Sequence, residues 1–178
     1  MRLIKRTSAT PNFVPDYMAK SVQDVDFKKL RKTGVKFIAF DADSTLVNFR
    51  GKALSDDTKL FLQKQRKLFE GWCIASNRLT NDLLPIAQSM DAQVVRATIL
   101  NRKPQQHFFR QVIKHFGGKP HEVAMVGDKL IADMYGAKKA GMVTVWVERI
   151  GKDNIWDRLI RLRDFEKWLI RRTIKEFK

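Results

Sequence analysis

The chain has a single cysteine, Cys73, among 178 residues, so no disulfide can form within it. A lone thiol in a chain of this size fits a reducing compartment. No apolar run approaches the ~20 residues that a membrane-spanning helix needs. Internal repeats and low-complexity tracts are missing as well, which excludes solenoids and linker-like chains. Acids are scarce: 19 Asp and Glu stand against 35 Lys and Arg, for a formal charge of +16. The N-terminus carries Arg2, Lys5 and Arg6 and no acid before Asp16, a weak transit-peptide pattern. It has no apolar core of the secretory kind, so the expectation is an intact, cytoplasmic N-terminus.

What is present is a globular composition. Hydrophobic residues make up 44% of the chain, too many for a disordered basic tail. A chain of this length buries roughly 70% of its unfolded surface, enough for a core without staples. Length favours one domain. The positive excess is spread along the chain rather than gathered in a tail, and it speaks to partners rather than to fold. Nucleic acid, an anionic membrane surface and small phosphorylated molecules are the three partner classes it fits.

Apolar runs alternate with helical patterns. Strands are predicted at 35–40, 72–75, 93–95, 123–126 and 143–147. Between them, Ser55 caps a helix through about Glu70, with Leu60, Phe61, Leu62 and Leu68 on its apolar side and Gly71 ending it. Thr80 or Asn81 opens a helix through Met90, in whose first turns Pro85 is tolerated. Further helices are predicted from Gln105 to Phe116, stopped by Gly117 and Gly118, and from Ile131 to Ala140. Strands alternating with helices argue for a parallel sheet covered on both faces, with ligands outside the carboxyl ends of the strands.

Those ends carry the chemistry. The first predicted strand runs into Asp41-Ala42-Asp43-Ser44-Thr45, the second into Ser76-Asn77, and the fourth into Gly127-Asp128, with Asp133 five residues on. Lys103 sits in the loop Asn101-Arg102-Lys103-Pro104. Taken singly, each Asp reads as a helix cap or turn residue, and Lys103 as a solvated lysine. Parallel strands would bring four acids, a hydroxyl and a lysine to one edge of the sheet. Carboxylates so gathered repel one another unless a cation is present, and an all-oxygen set suits Mg²⁺. A carboxylate there can attack phosphorus, a second can serve as general acid and base, and a Lys and a hydroxyl can hold the transferring group.

DADST after an apolar strand, then SN, then a lone Lys, then GDKLIAD, resembles the four motifs of haloacid dehalogenase (HAD) superfamily phosphatases. The resemblance covers roughly residues 35–148. It implies a Rossmann-like three-layer α/β/α fold with Asp41 as nucleophile and Asp43 as general acid and base. Thr45, Ser76, Asn77 and Lys103 would serve phosphate binding. Asp41, the Asp43 backbone carbonyl and Asp128 would hold Mg²⁺, with Asp133 supporting them. Thirty residues lie between Thr45 and Ser76, and 25 between Asn77 and Lys103, so neither gap houses a cap domain. The expected organisation is one domain over 1–178, with an N-terminal segment (1–34), a catalytic core (35–150) and a basic amphipathic C-terminal helix (151–178).

The segment Pro11 to Tyr17, then Ser21 to Val25 and Leu30, looks like the YqeG-type branch, whose relatives include phosphatidylglycerophosphate phosphatases. Ala42 and Ser44 stand where that branch more often has Leu and Asn. The resemblance therefore implies a lipid head group as substrate. Nucleic-acid ends, nucleotides and small metabolites remain alternative phosphorylated substrates, and a non-catalytic RNA-associated protein is a further alternative. Arg78, Arg102 and Lys129 flank the expected site, where they either bind the rest of an anionic substrate or serve as solubilising charge. For the terminal segment, peripheral contact with an anionic membrane, packing on the core and a subunit interface all stay open.

Overall fold

The computed structural model describes residues 1–4, 12–151 and 168. Seven strands form one sheet: β1 (Arg2–Leu3), β2 (Tyr17–Ala19), β3 (Phe37–Phe40), β4 (Gly71–Ser76), β5 (Gln93–Arg96), β6 (Val123–Gly127) and β7 (Val143–Val147). Their spatial order is β1-β2-β7-β6-β3-β4-β5, with β1 antiparallel and every other pairing parallel. The helices are α1 (Phe27–Lys32), α2 (Asp56–Arg66), α3 (Leu84–Ser89), α4 (Gln106–Phe116) and α5 (Gly136–Lys139).

Alternation along the strands builds two cores. Ile38, Phe40, Trp72, Ile74, Ala124 and Val126 face one side, where they meet Phe27 and Leu30 of α1, Leu62 of α2 and Ile86 of α3. The residues between them, Ala39, Cys73, Ala75, Val123 and Met125, face the other side and meet α4 through Phe108, Phe109 and Val112, and α5 through Ala137. Helices therefore cover both faces of a mostly parallel sheet, giving the expected three layers. Cys73 is fully buried in that second core, and burial pushes its thiol pKa up, which makes it packing rather than chemistry.

Five strands fall where the apolar runs place them. β1 and β2 were not expected. Tyr17–Ala19 extends the sheet beyond β7, pairing Tyr17 with Val145 and Ala19 with Val147, and three residues are too few to show a period. Asp16 fixes this edge: its carboxylate accepts from the Thr144 amide at 2.9 Å and pairs with Lys138.

The helices depart from expectation in three places. Ser55 caps α2 by accepting from the Thr58 amide, but α2 ends at Arg66, after which tight turns through Leu68 and Phe69 lead into β4. Gly71 consequently opens a strand, where the Phe37 and Phe116 rings lie 3.2 Å from where a Cβ would sit. Leu60 is 55% exposed, because it lies two residues from buried Leu62 and so on a different helix face. The 81–90 helix begins as a 3₁₀ turn (Asn81–Leu83), with Pro85 in the first turn of α3. The 131–140 helix begins as a π-helix (Leu130–Tyr135) before α5. The expected helix at 151–178 lies outside the described residues, apart from Gly151 and a half-exposed, helical Trp168.

The topology locates the site. From central β3 the chain runs outward through β4 and β5, then crosses back to lay β6 on the other side of β3. The reversal opens a crevice between the carboxyl ends of β3 and β6, the place where open α/β sheets bind ligands. Between β3 and β4 the chain forms only a loop, a turn and α2, and no helix among the described residues is long and apolar enough to cross a membrane.

Candidate active site

Asp41 follows β3 directly, and its amide donates to Val126 O on β6 at 2.8 Å, so the two central strands stay paired up to the crevice. The next residues wrap tightly: the amides of Thr45, Leu46 and Val47 all donate to Ala42 O. Ser44 sits at φ 66°, in the left-handed region that residues other than glycine rarely adopt. The wrap turns Thr45 inward, where its hydroxyl donates to Asp128 Oδ1 at 3.2 Å.

Opposite, Gly127 and Asp128 end β6. A Cβ at Gly127 would lie 2.5 Å from Asp133 Oδ2, so glycine is what lets the π-helix bring Asp133 in. Both Asp133 oxygens are engaged: Oδ2 accepts from the Lys129 amide at 3.1 Å and Oδ1 from Lys103 Nζ at 2.6 Å. Lys103 Nζ also donates to Asp41 Oδ1 at 2.5 Å. Asn77 sets the Lys103 loop, accepting from the Lys103 amide at 2.9 Å and donating to its carbonyl at 3.1 Å.

Asp41, Asp128 and Asp133 are buried and present oxygens within 4.8 Å of one another. Asp41 Oδ2 has no hydrogen-bond partner among the described residues. Burial raises the Asp41 pKa, with Lys103 opposing and Asp133 adding to the shift. Burial likewise pushes Asp128 up to about 7, against the pull of Lys129 and with Asp41 and Asp133 reinforcing it. Lys103 is raised: burial works against its charge, but Asp133 and Asp41 outweigh burial.

A buried oxygen without a partner and a crowded set of hard oxygen donors fit a divalent cation of the Mg²⁺ kind. A pH dependence follows. Because its pKa is raised in the fold, ionising Asp128 costs stability, which is present at low pH and lost as pH rises through about 7. A cation must displace that proton below pH 7 and need not above it. Mg²⁺ is expected to raise the melting temperature by several degrees at pH 8 and by little at pH 5.5. Thermal melts in EDTA and in Mg²⁺ at both pH values check this, and an equal shift at both would contradict it.

Of the three, Asp41 lies on the floor of an open cleft of about 680 Å³, which Asp43, Ser76, Asn77, Arg78 and Lys103 also line. Asp128, Asp133 and Thr45 pack behind the floor, so Thr45 orients Asp128 instead of facing the cleft. The Asp43 carboxylate stands apart from the three-acid cluster. Arg78 grips it with two bonds of 2.9 and 2.5 Å, and the Arg50 amide adds a third. Burial would raise Asp43, but Arg78 and the Arg50 amide hold it below the ordinary carboxylate range.

Residue patterns did not assign Arg78 this contact, and two other neighbours went unnoticed. Arg149 Nε lies 3.5 Å from Asp128 Oδ2, and Trp146 Nε1 donates to Asp128 O at 2.7 Å. Both stand at the carboxyl end of β7, and that placement was the signal available.

Residues 100–155 match the HAD-hydrolase-like family model. An uncharacterized protein from Listeria monocytogenes serotype 4b shares the fold at a TM-score of 0.54 and 18% identity, covering 68% of this chain and 84% of that one. The fold is haloacid dehalogenase-like. A glyceraldehyde 3-phosphate phosphatase from Pyrococcus furiosus is 51% identical to this HAD-like chain over 45 residues, 25% of the chain and 19% of the relative. The chain thus matches about a fifth of that relative's length. Phosphatidylglycerophosphate phosphatase 1 of Arabidopsis thaliana is 24% identical over 170 residues, covering 92% of the chain and 49% of that protein. The probable phosphatase YqeG of Bacillus subtilis is 22% identical over 135 residues, covering 76% and 77%.

Proposed function

We propose that this HAD-like chain is a Mg²⁺-dependent phosphomonoester hydrolase working through an aspartyl-phosphate, with phosphatidylglycerophosphate as its substrate. The observation that carries the reading is buried Asp41, unpartnered at Oδ2 and bonded at Oδ1 to Lys103, on the floor of an open cleft. Asp41 attacks phosphorus, the bond from phosphorus to the leaving oxygen breaks, and Asp43 gives that oxygen a proton. Asp43 then takes a proton from the water that hydrolyses the aspartyl-phosphate. Ser76 Oγ and Lys103 Nζ hold the equatorial oxygens of the transferring phosphoryl group. Bound by Asp41, the Asp43 carbonyl and Asp128, Mg²⁺ would supply charge neutralisation at the phosphoryl group. Asp43 cannot donate while Arg78 keeps it ionised, so an anionic substrate that draws the guanidinium away prepares the acid.

The lipid reading is supported by a relative that matches 92% of this chain and by the absence, among the described residues, of a unit inserted over the cleft. The short, more identical match to a glyceraldehyde 3-phosphate phosphatase favours a soluble phosphomonoester as the second reading. Phosphate release should be measured in Mg²⁺ from vesicles carrying phosphatidylglycerophosphate, from glyceraldehyde 3-phosphate, from nucleotides and from 5′-phosphorylated oligonucleotides. The lipid is expected to turn over at least about tenfold faster in kcat/KM than any other. Preference for a soluble substrate would replace the lipid assignment, and no release from any would end the hydrolase reading.

A further inference from the structure

Among the described residues, several large apolar side chains stand exposed on loops at the cleft's side of the sheet. Ile99 is 79% exposed, Leu100 87% and Leu79 61%, and Phe49 is also exposed. They belong to loops that follow β5, β4 and β3, so they share the carboxyl edge of the sheet with the site. Phe49 and Leu79 line the cleft itself, together with Arg102, which lies two residues beyond Leu100. Apolar tips concentrated around one opening mark a contact surface rather than scattered surface hydrophobes.

The Ile99-Leu100 tip is built to be presented. Thr98 and Asn101 close it: the Thr98 amide donates to Asn101 O at 2.8 Å and the Asn101 amide to Thr98 Oγ1 at 3.0 Å. The Asn101 side chain donates to Gln111 on α4 at 2.7 Å, fastening the turn to the outer face of that helix. Both closing amides are satisfied within the turn, which holds Ile99 and Leu100 at its tip. Basic groups surround the apolar ones: Arg50, Lys52 and Arg102 are exposed, and Arg50 lies over the Phe49 ring at 5.5 Å.

We propose that this rim is a docking surface for an anionic lipid bilayer, seating the cleft against the head groups. The inference rests on the lipid-substrate reading above and adds where the enzyme meets its surface. Aliphatic tips enter the boundary between head groups and acyl chains, while Arg and Lys stems reach back to lipid phosphates. A surface for nucleic acid would offer aromatic stacking platforms, and among the described residues Phe49 is the one aromatic side chain on this rim.

The test is partitioning of the full chain onto vesicles of phosphatidylcholine with 30–40% phosphatidylglycerol, roughly the anionic content at which such attraction is strong. These vesicles contain no phosphomonoester, so binding is read apart from hydrolysis. Ile99→Asp with Leu100→Asp is expected to lower partitioning at least about 30-fold, and Arg102→Gln about fivefold. Leu3→Asp, on β1 at the far edge of the sheet, is expected to change it little. Release of phosphate from p-nitrophenyl phosphate by the double variant should match wild type, showing that site and fold are intact. Equal partitioning of wild type and double variant overturns the proposal, as does loss of single-stranded RNA binding in the double variant while vesicle binding persists. Docking without hydrolysis of phosphatidylglycerophosphate would overturn the substrate reading and leave the docking surface standing.

Discussion

Asp41→Asn is expected to lower phosphate release by about 10⁴-fold or more, the scale on which removal of a nucleophile acts. Asn keeps the size and can still accept from Lys103, but its amide is a far weaker nucleophile toward phosphorus. The same change removes one of three crowded carboxylates, two of which burial and repulsion have pushed toward their neutral forms. The variant's melting temperature in EDTA should therefore equal or exceed that of wild type, and its gain from Mg²⁺ should shrink. Loss of activity without loss of stability separates chemistry from misfolding. Activity within about tenfold of wild type would show that Asp41 does not carry the covalent step.

Lys103→Met is expected to be the most destabilising single change at the site. Lys103 is 5% exposed and bridges Asp41 and Asp133 at 2.5 and 2.6 Å. Methionine fills similar space but leaves both carboxylates buried without that ammonium. Stranding a buried charge in this way costs about 3–5 kcal/mol, on the order of a 10 °C fall in melting temperature for a chain of this size. Lowering the pH to 5.5 should recover part of the loss, because the stranded carboxyls can then take protons. Mg²⁺ should recover part of it at pH 8. Activity should still fall about 10²- to 10³-fold, because the ammonium that holds the oxygens of the transferring group is gone. Thermal melts across pH and Mg²⁺, with phosphate release alongside, distinguish these effects. An unchanged melting temperature in EDTA at pH 8 would mean that the lysine does not balance the acids.

The parts of the fold legible in the chain were those with a strong period. Apolar runs at β3, β4, β6 and β7, bounded by helices with a Ser55 cap or a Gly117 stop at φ 68°, announce a covered parallel sheet. β2 escaped notice because three residues held by Asp16 and Thr144 carry no pattern of their own. Leu60 misled because hydrophobicity alone does not reveal which side of a helix faces out.

The same division holds at the site. Residues at strand ends were found because parallel strands must deliver their ends to one edge. Arg78 was visible only as a nearby charge, since its grip on Asp43 spans 35 positions in sequence. Arg149 approaches Asp128 because β7 lies beside β6, a neighbour relation that strand order decides.

By itself the sequence determined which groups are available: four acids, a serine and a lysine after apolar runs, one buried thiol, and a basic surround. Periodicity and strand-end chemistry are local, so a linear reading recovers them. The tertiary structure decided how those groups divide their work. Thr45 turned away from the cleft to Asp128, Asp133 spent both oxygens on Lys103 and the Lys129 amide, and Asp43 was taken up by Arg78. Apart from the local Lys129 amide, those partners lie on loops that the strand order brings within hydrogen-bond reach, and burial makes polar partners valuable there.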